Sequence, residues 1–275
     1  MPELPEVETV KQTLQAKLVG LSFKGIRIFI PKVVQTPAAE QVEKMIAGAK
    51  ILKIGRRGKH LLIHLDKELA LVIHLRMTGK LLYCPAGEPL AKYTHVIFYL
   101  DNGDELRFAD MRKFGRLWVV PRSALGELPV LKKLGMEPLE DSFTSEFLQK
   151  ELPRRNTRIK PLLLDQGLIA GLGNIYTDEA LHRAGLHPER PAKTITSREA
   201  DRLHRAIRTV LQEGIKHKGT TISNFVDGNG RAGNYQELLK VYKRAGQPCC
   251  RCGKRIERKK VGGRSSYYCP CCQRI

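Results

Sequence analysis

Residues 248–275 read PCCRCGKRIERKKVGGRSSYYCPCCQRI, in which two Cys-x-x-Cys knuckles, Cys249–Cys252 and Cys269–Cys272, bracket a 16-residue connector. Each knuckle offers two thiolates on one short turn, and the connector is long enough for a β-hairpin to bring the second pair round. This is the spacing of a tetrahedral four-thiolate zinc site. Cys250 and Cys271 interrupt the pattern and could in principle replace a ligand or pair with each other. Only Cys249, Cys252, Cys269 and Cys272 give the two-residue spacing on both sides. Four protein ligands leave no open position, so one structural Zn2+ is expected to hold the hairpin and do no chemistry. A hairpin this small buries little apolar surface, and the metal supplies its folding energy. Between the knuckles lie Lys254, Arg255, Arg258, Lys259, Lys260 and Arg264, with Glu257 the only acid. That density favours phosphate binding over a merely solvated face.

The rest of the chain carries the same sign. Its 48 Lys+Arg against 28 Asp+Glu give a formal charge of +20 and a pI near 9.8, or about +18 once four thiolates and a zinc ion are counted. Such a field selects a polyanion, with nucleic acid the usual one. A membrane partner is not expected, because no apolar run reaches the roughly 18 residues of a transmembrane helix and no signal peptide opens the chain. At 275 residues, 42% of them hydrophobic, there is room for two compact domains plus the zinc appendage. Cys84 stands alone as inert packing, and the cysteine pattern suits a reducing cytosol.

Texture divides the chain. Val7, Val10, Leu14 and Leu18 recur at helical spacing behind Pro5, predicting a helix over 5–18. From about 21 to 120 short apolar or alternating segments follow, at 22–30, 60–65, 69–75, 95–100, 105–108 and 116–120. Gly, Pro and Asp-Asn-Gly break them, and without intervening helices they predict a sandwich or barrel-like β domain. Residues 128–138 read as a crossing segment. Helical patterns then take over at 144–151, 158–165, 174–184 and 197–216, the last behind a Ser-x-Glu cap-like opening. The glycines of 166–173 (QGLIAGLG) allow close backbone approach in a turn. Residues 219–236 form a polar, Gly-rich stretch, a mobile lid or plain linker.

The chain opens Met1-Pro2-Glu3-Leu4-Pro5-Glu6-Val7-Glu8. Removal of Met1 would expose a secondary amine on Pro2. An α-amino group titrates near pH 8, so a useful fraction is unprotonated at neutral pH and can attack an aldehyde-like carbon to form a Schiff base. Glu3 stands beside it to move protons. This opening resembles the MPELPEVE signature of the formamidopyrimidine-DNA glycosylases, bacterial enzymes that remove 8-oxoguanine and ring-opened purines. The match continues in order. Arg56-Arg57-Gly58-Lys59 is similar to RRGK, His74-Leu75-Arg76-Met77-Thr78-Gly79 to HLRMxG, and Asp110-Met111-Arg112-Lys113-Phe114-Gly115 to DxRKFG. Gly171-Leu172-Gly173-Asn174-Ile175-Tyr176 resembles the GxGNIY of a helix–two-turn–helix element, and Pro248 to Gln273 follows the C-terminal finger. The related endonuclease VIII branch usually has Gly after MPE, so Leu4 favours the oxidised-purine branch.

The resemblance implies an α+β multidomain fold. An N-terminal catalytic β-sandwich flanked by helices would span 1–130. A helix–two-turn–helix domain at 131–236 would carry a lesion-recognition loop near 218–236, and 237–275 would form the four-cysteine finger. It further implies Pro2 as the nucleophile at C1′ of a flipped-out nucleotide, Glu3 as acid/base, and cleavage on both sides of the lesion by β- and δ-elimination without a redox cofactor. Lys59 would hold phosphate near the site and completes the catalytic set. His74 falls among the DNA-contacting motifs. Met77, Arg112 and Phe114 would fill the gap left by the base, with Arg112 facing the orphaned cytosine and Phe114 wedging the stack. Asn174 and Arg264 would contact phosphate, although Asn174 alone also suits a helix N-cap. Glu6 is equally a second functional carboxylate or a helix N-terminal acid favoured by the dipole. Ser223 and Lys243 depart from the family pattern, which often has a basic residue and Gly there, and this bears on lesion preference. The implied partner is damaged duplex DNA, met by a monomer in the nucleoid-associated cytoplasm of a bacterium. A DNA-binding module without catalysis would have no need of Pro2 and Glu3. A zinc-ribbon transcription or RNA protein would leave the N-terminal motifs unexplained.

Overall fold

Leu4, Val7, Val10, Leu14 and Leu18 line one buried face of helix α1 (Leu4–Leu18), the stripe expected of a helix laid on a core. In this computed structural model, which describes all 275 residues, α1 packs with two antiparallel-rich sheets. Strands β1 (Phe23–Ile28), β2 (Val34–Thr36), β3 (Ile51–Arg57), β4 (His60–Leu65), β5 (Leu69–His74), β6 (Gly79–Cys84), β7 (Thr94–Leu100), β8 (Glu105–Asp110) and β9 (Arg116–Pro121) form them. One has the order β1-β7-β8-β6 and the other β2-β9-β5-β4-β3, with only the short β2 parallel to its neighbour. Phe23, Phe98 and Phe108 of the first sheet and Ile63, Ile73 and Val119 of the second share one core with Val7 and Leu14. This is the expected sandwich. One expectation fails: a helix, α2 (Ala39–Ile46), interrupts the strands, burying only Val42 and Ile46. Ala39, Val42, Met45 and Ile46 do recur at helical spacing, but the element has only 8 residues, shorter than the window of roughly 11–18 in which that period is read. After β9 the crossing segment is a 3-10 turn over Arg122–Glu127 and the single turn α3 (Pro129–Lys132).

Residues 1–132 group with 217–234 as one compact unit, and 133–216 with 235–275 as a second. The polar stretch that reads as part of the helical region therefore belongs with the sandwich. Tyr83 N–H donates to Gly228 O at 2.9 Å, Gly228 N–H to Thr13 Oγ1 at 3.0 Å, and Phe225 packs on the core. Backbone groups do most of this docking, and hydropathy does not register them. At the neck of the loop Asn234 N–H donates to His217 O at 3.0 Å. A Cβ at Gly233 would stand 2.2 Å from Lys218 O, so only glycine closes the loop there.

In the second unit, helices α4 (Ser145–Glu151), α5 (Ile159–Leu163), α6 (Asn174–Ala184) and α7 (Ser197–Lys216) precede the hairpin β10 (Glu257–Val261) and β11 (Arg264–Tyr268). α6 packs on α7 and on β11. The cap of α7 is Thr196, one residue earlier than the sequence indicates. Glu199 N–H donates to Thr196 Oγ1 at 3.3 Å and Thr196 N–H to Glu199 Oε2 at 2.9 Å, a reciprocal capping box. Between α5 and α6 the side chain of Gln166 knits the two turns. Its Nε2 donates to Leu164 O and Leu172 O at 3.0 and 2.7 Å, and its Oε1 accepts from Gly171 N–H at 3.0 Å.

Candidate functional site

Three groups of residues bear on function, two in the first unit and one in the second. The first is the N-terminus. Pro2 and Glu3 are buried behind an exposed Met1. Glu3 caps α1, and Glu6 closes the capping box by accepting from Glu3 N–H through Oε2 at 2.8 Å. The other Glu6 oxygen accepts from Thr220 N–H at 2.7 Å. Glu6 is thus more than an acid near a helix dipole: it ties the start of α1 to the 217–234 loop. One helical turn on, Glu8 Oε2 pairs with Arg56 Nε at 3.0 Å, and Arg56 Nη1 donates to Gly58 O at 3.0 Å. Gly58 and Lys59 form the two-residue turn between β3 and β4, with Gly58 at φ +53° in the first position, where such hairpins want positive φ. Lys59 is buried at that turn. Burial pushes the Glu8 carboxyl up, but the Lys11 and Arg56 cations together bring it below its ordinary value.

The second group spans two turns joined by Asp110. Its Oδ1 accepts from Thr78 Oγ1 and from Arg112 N–H, and its Oδ2 from Gly115 N–H at 2.7 Å. His95 Nε2 lies 2.6 Å from its carbonyl. One fully buried carboxylate thereby fixes both the 75–79 and the 110–115 turns. They present Met77 and Phe114, 43% and 51% exposed, so neither is a core residue. Arg112 Nη1 lies 3.1 Å from Met77 Sδ. His74 points inward: its Nδ1 accepts from Arg76 N–H at 2.9 Å, holding a residue at φ +53° that starts the Met77 turn. Its ring stands edge-on to His60 with centroids 4.4 Å apart. Burial, aided by Arg76 and Lys59, pushes His60 down to about 4; burial, with His60 and those cations adding, pushes His74 down to about 2. Both are neutral rings at physiological pH.

The third group joins α6 to the finger. Asn174 is the first residue of α6 and Gly173 the cap, so the N-cap reading of Asn174 does not hold. Its Nδ2 donates to Ser265 O at 3.0 Å, next to Arg264. The same carbonyl accepts from the fully buried Lys160 Nζ at 2.9 Å, which also pairs with Asp178 Oδ1 at 2.6 Å. Asp178 Oδ2 accepts from Tyr267 N–H at 3.0 Å. Burial pushes the Asp178 carboxyl up to about 7, against the pull of Lys160. Glu179 accepts from the N–H groups of Lys240, Val241 and Tyr242 at 2.9–3.0 Å, docking the chain that enters the finger. At the tip, Gly262 and Gly263 both have positive φ, the two-residue turn that puts Arg264 first on β11.

The sulfurs of Cys249, Cys252, Cys269 and Cys272 all lie within 4.8 Å of one another. The pairs Cys249–Cys272 and Cys252–Cys269 are 3.9 and 3.4 Å apart, against about 3.8 Å for the edge of a tetrahedron with Zn–S bonds of 2.3 Å. Backbone N–H groups of Arg251 and Cys272 point at Cys249 and Cys269 Sγ, each at 3.4 Å. The donor set fits one structural zinc ion. Cys250 and Cys271 are exposed and outside the group, and Cys84 is buried with its thiol pushed up by burial. The contacts made by Glu6, Asp110, Lys160 and Asp178 link segments 18 to 214 residues apart, and no local motif in the sequence announces them.

The comparisons with known proteins cover nearly the whole chain. The formamidopyrimidine-DNA glycosylase N-terminal domain matches residues 1–117, the formamidopyrimidine-DNA glycosylase H2TH domain residues 134–226, and the zinc finger found in FPG and IleRS residues 246–275. Among similar proteins, the formamidopyrimidine-DNA glycosylase of Pelotomaculum thermopropionicum is 62% identical, with all of both chains covered. That of Desulforamulus reducens is 57% identical over all of this chain and 99% of its own. A mutant of Lactococcus lactis FPG in complex with Fapy-dG-containing DNA has the same fold, with a TM-score of 0.94 at 36% identity and both chains fully covered. The Lactococcus lactis Fpg complex with DNA containing an abasic site gives 0.94 at 37% identity, covering 99% of this chain and 100% of that one.

Proposed function

The chain belongs to the formamidopyrimidine-DNA glycosylase family, and we propose that Pro2, Glu3 and Lys59 carry that family's chemistry in it. It is a base-excision repair enzyme that removes oxidised purines, formamidopyrimidines among them, from duplex DNA and then acts as a lyase on the abasic strand. Once Met1 is removed, the Pro2 nitrogen attacks C1′ of the flipped nucleotide, the bond from C1′ to the base breaks, and the base leaves with a proton. Glu3 supplies protons to the opening sugar. The resulting iminium acidifies the C2′ and then the C4′ proton, and their loss expels the 3′ and 5′ phosphates in turn. The observation that carries this reading is the N-terminus itself: Pro2 and Glu3 are buried immediately before α1, whose start Glu6 holds from two sides.

The other residues bind. Met77, Arg112 and Phe114 stand on the two turns tied by Asp110, suited to enter a duplex at the gap left by the flipped base. Arg112, whose Nη1 rests against Met77 Sδ, is suited to meet a cytosine edge at the orphaned base, and His74 serves them by holding the Met77 turn. Asn174, at the N-terminus of an 11-residue helix with its side chain tied to Ser265 O, and Arg264 at the hairpin tip are the groups we propose to take phosphate. The zinc holds the finger and supplies no chemistry. No helix is long and apolar enough to cross a membrane, and the working place we propose is the nucleoid-associated cytoplasm of a bacterium.

Borohydride trapping on a duplex with one 8-oxoguanine opposite cytosine, followed by peptide mapping, tests the reading. A covalent adduct at Pro2, from protein that mass spectrometry shows to lack Met1, is the expected result. Failure to trap on both that duplex and an abasic site would reduce the protein to a lesion binder.

A further inference from the structure

The last turn of α6 and the first zinc knuckle hold each other reciprocally. Arg251, inside the knuckle, donates through Nη1 to His182 O at 2.9 Å and through Nη2 to Arg183 O at 3.0 Å. These are carbonyls at a helix C-terminus, where a cation is favoured and intrahelical donors run out. In the other direction His182 Nε2 lies 3.5 Å from Cys249 Sγ, on a ring only 2% exposed. The second knuckle docks beside it, with Gln273 Nε2 donating to Leu186 O at 2.8 Å.

A zinc ion on four thiolates carries a net charge of about −2, and every N–H aimed at a sulfur spreads part of it. Cys249 already receives the Arg251 N–H. The imidazole Nε2 is a second polar partner of the same sulfur, and it comes from the helical domain, outside the finger's own sequence. We propose that His182 is an outer-sphere partner of the zinc site, donating Nε2–H to the Cys249 thiolate and so coupling metal retention to α6, the helix that begins with Asn174. The proposal rests on the zinc assignment.

The test uses the full chain with His182→Phe, which removes the donor and keeps a ring, and His182→Gln, whose amide N–H can reach a similar point. Zinc content is measured first, then the rate of zinc transfer to a chromophoric chelator, with circular dichroism confirming the fold. His182→Phe is expected to hold zinc about ten-fold more weakly, while His182→Gln stays close to the parent. In cobalt-substituted protein the sulfur-to-cobalt charge-transfer band should move to lower energy in the Phe variant alone. Equal retention in all three proteins overturns the proposal, as does an equal loss in both variants, which would mark packing. A cobalt spectrum showing imidazole inside the metal shell also overturns it. Parent protein purified without zinc would refute the zinc assignment itself, a separate outcome. If the Phe ring is not accommodated, His182→Leu asks the same question.

Discussion

Glu6 and Thr220, 214 residues apart in the chain, are joined by a 2.7 Å hydrogen bond from the Thr220 N–H to Glu6 Oε1. The same carboxylate accepts from Glu3 N–H, so one side chain sets both the N-terminus and the first residues of the loop. Glu6→Gln turns an NH2 toward one of those donors and costs on the order of 2 kcal/mol locally. Faster hydrogen exchange at the Thr220 amide is expected, together with slower base excision. Unchanged protection of Thr220 would show that the loop is held by other contacts.

The Glu8–Arg56 pair, with side chains 12% and 11% exposed, acts at a distance on the turn that carries Lys59. Arg56→Met leaves Lys11 as the cation paired with Glu8 and removes the guanidinium donor to the Gly58 carbonyl, at a cost on the order of 3 kcal/mol. The lyase step on a pre-formed abasic site should slow, and the midpoint of urea denaturation should fall. Because Glu8 has its folded-state value below the ordinary 4.5, its contribution is complete above that pH. It disappears as the solution is acidified through the folded value.

His60 and His74 predict a separate acid response. Above pH 6.5 both rings are neutral in folded and unfolded chain alike. Below it the unfolded chain takes up protons that folded His60 refuses until about 4 and His74 until about 2. Stability should therefore decline from pH 6.5 towards 4, on the order of 3 kcal/mol from His60 alone. Urea titrations at stepped pH measure this, and His60→Phe should flatten the slope. An equal slope in that variant would place the proton uptake elsewhere.

Lys160 and Asp178 sit at 0% and 1% side-chain exposure, where removing one partner strands the other. Asp178→Asn is expected to lower stability by roughly 3 kcal/mol and to loosen the Ser265 carbonyl shared with Asn174. Affinity for duplex DNA should weaken, and the steepness of its salt dependence should drop with loss of the phosphate contact proposed for Arg264. Lys160→Met paired with Asp178→Leu should recover stability without restoring the salt slope.

Much of the architecture could be read before any coordinates. The cysteine knuckles depend on a spacing of two residues, α1 on a repeat of three and four, and α7 on a helical pattern behind a cap-like opening, all of them local signals. α2 escaped because its apolar stripe, Val42, Met45 and Ile46, belongs to an element of only 8 residues. The docking of 217–234 escaped because it is made by backbone groups of a polar segment. Within the candidate site, motif resemblance pointed to Met77 and Phe114, although neither composition nor period separates an exposed apolar residue from a core one. Asp110 sat inside a quoted motif, yet its work of tying two turns needs Thr78, 32 residues away. His182 gave no sign at all, since its meaning depends on a cysteine 67 residues further on.

The return of residues 217–234 to the first unit also has a consequence for biosynthesis. The sandwich strands and α1 leave the ribosome early, yet the Glu6 carboxylate lacks its Thr220 partner until the helical domain has been translated. At 5–20 residues per second that interval is about 5–20 s. During it the nascent N-terminus is exposed to the enzymes that trim Met1, before the loop is in place beside it. Maturation of the proposed nucleophile and completion of its surroundings are thereby ordered by the position of one segment in the gene.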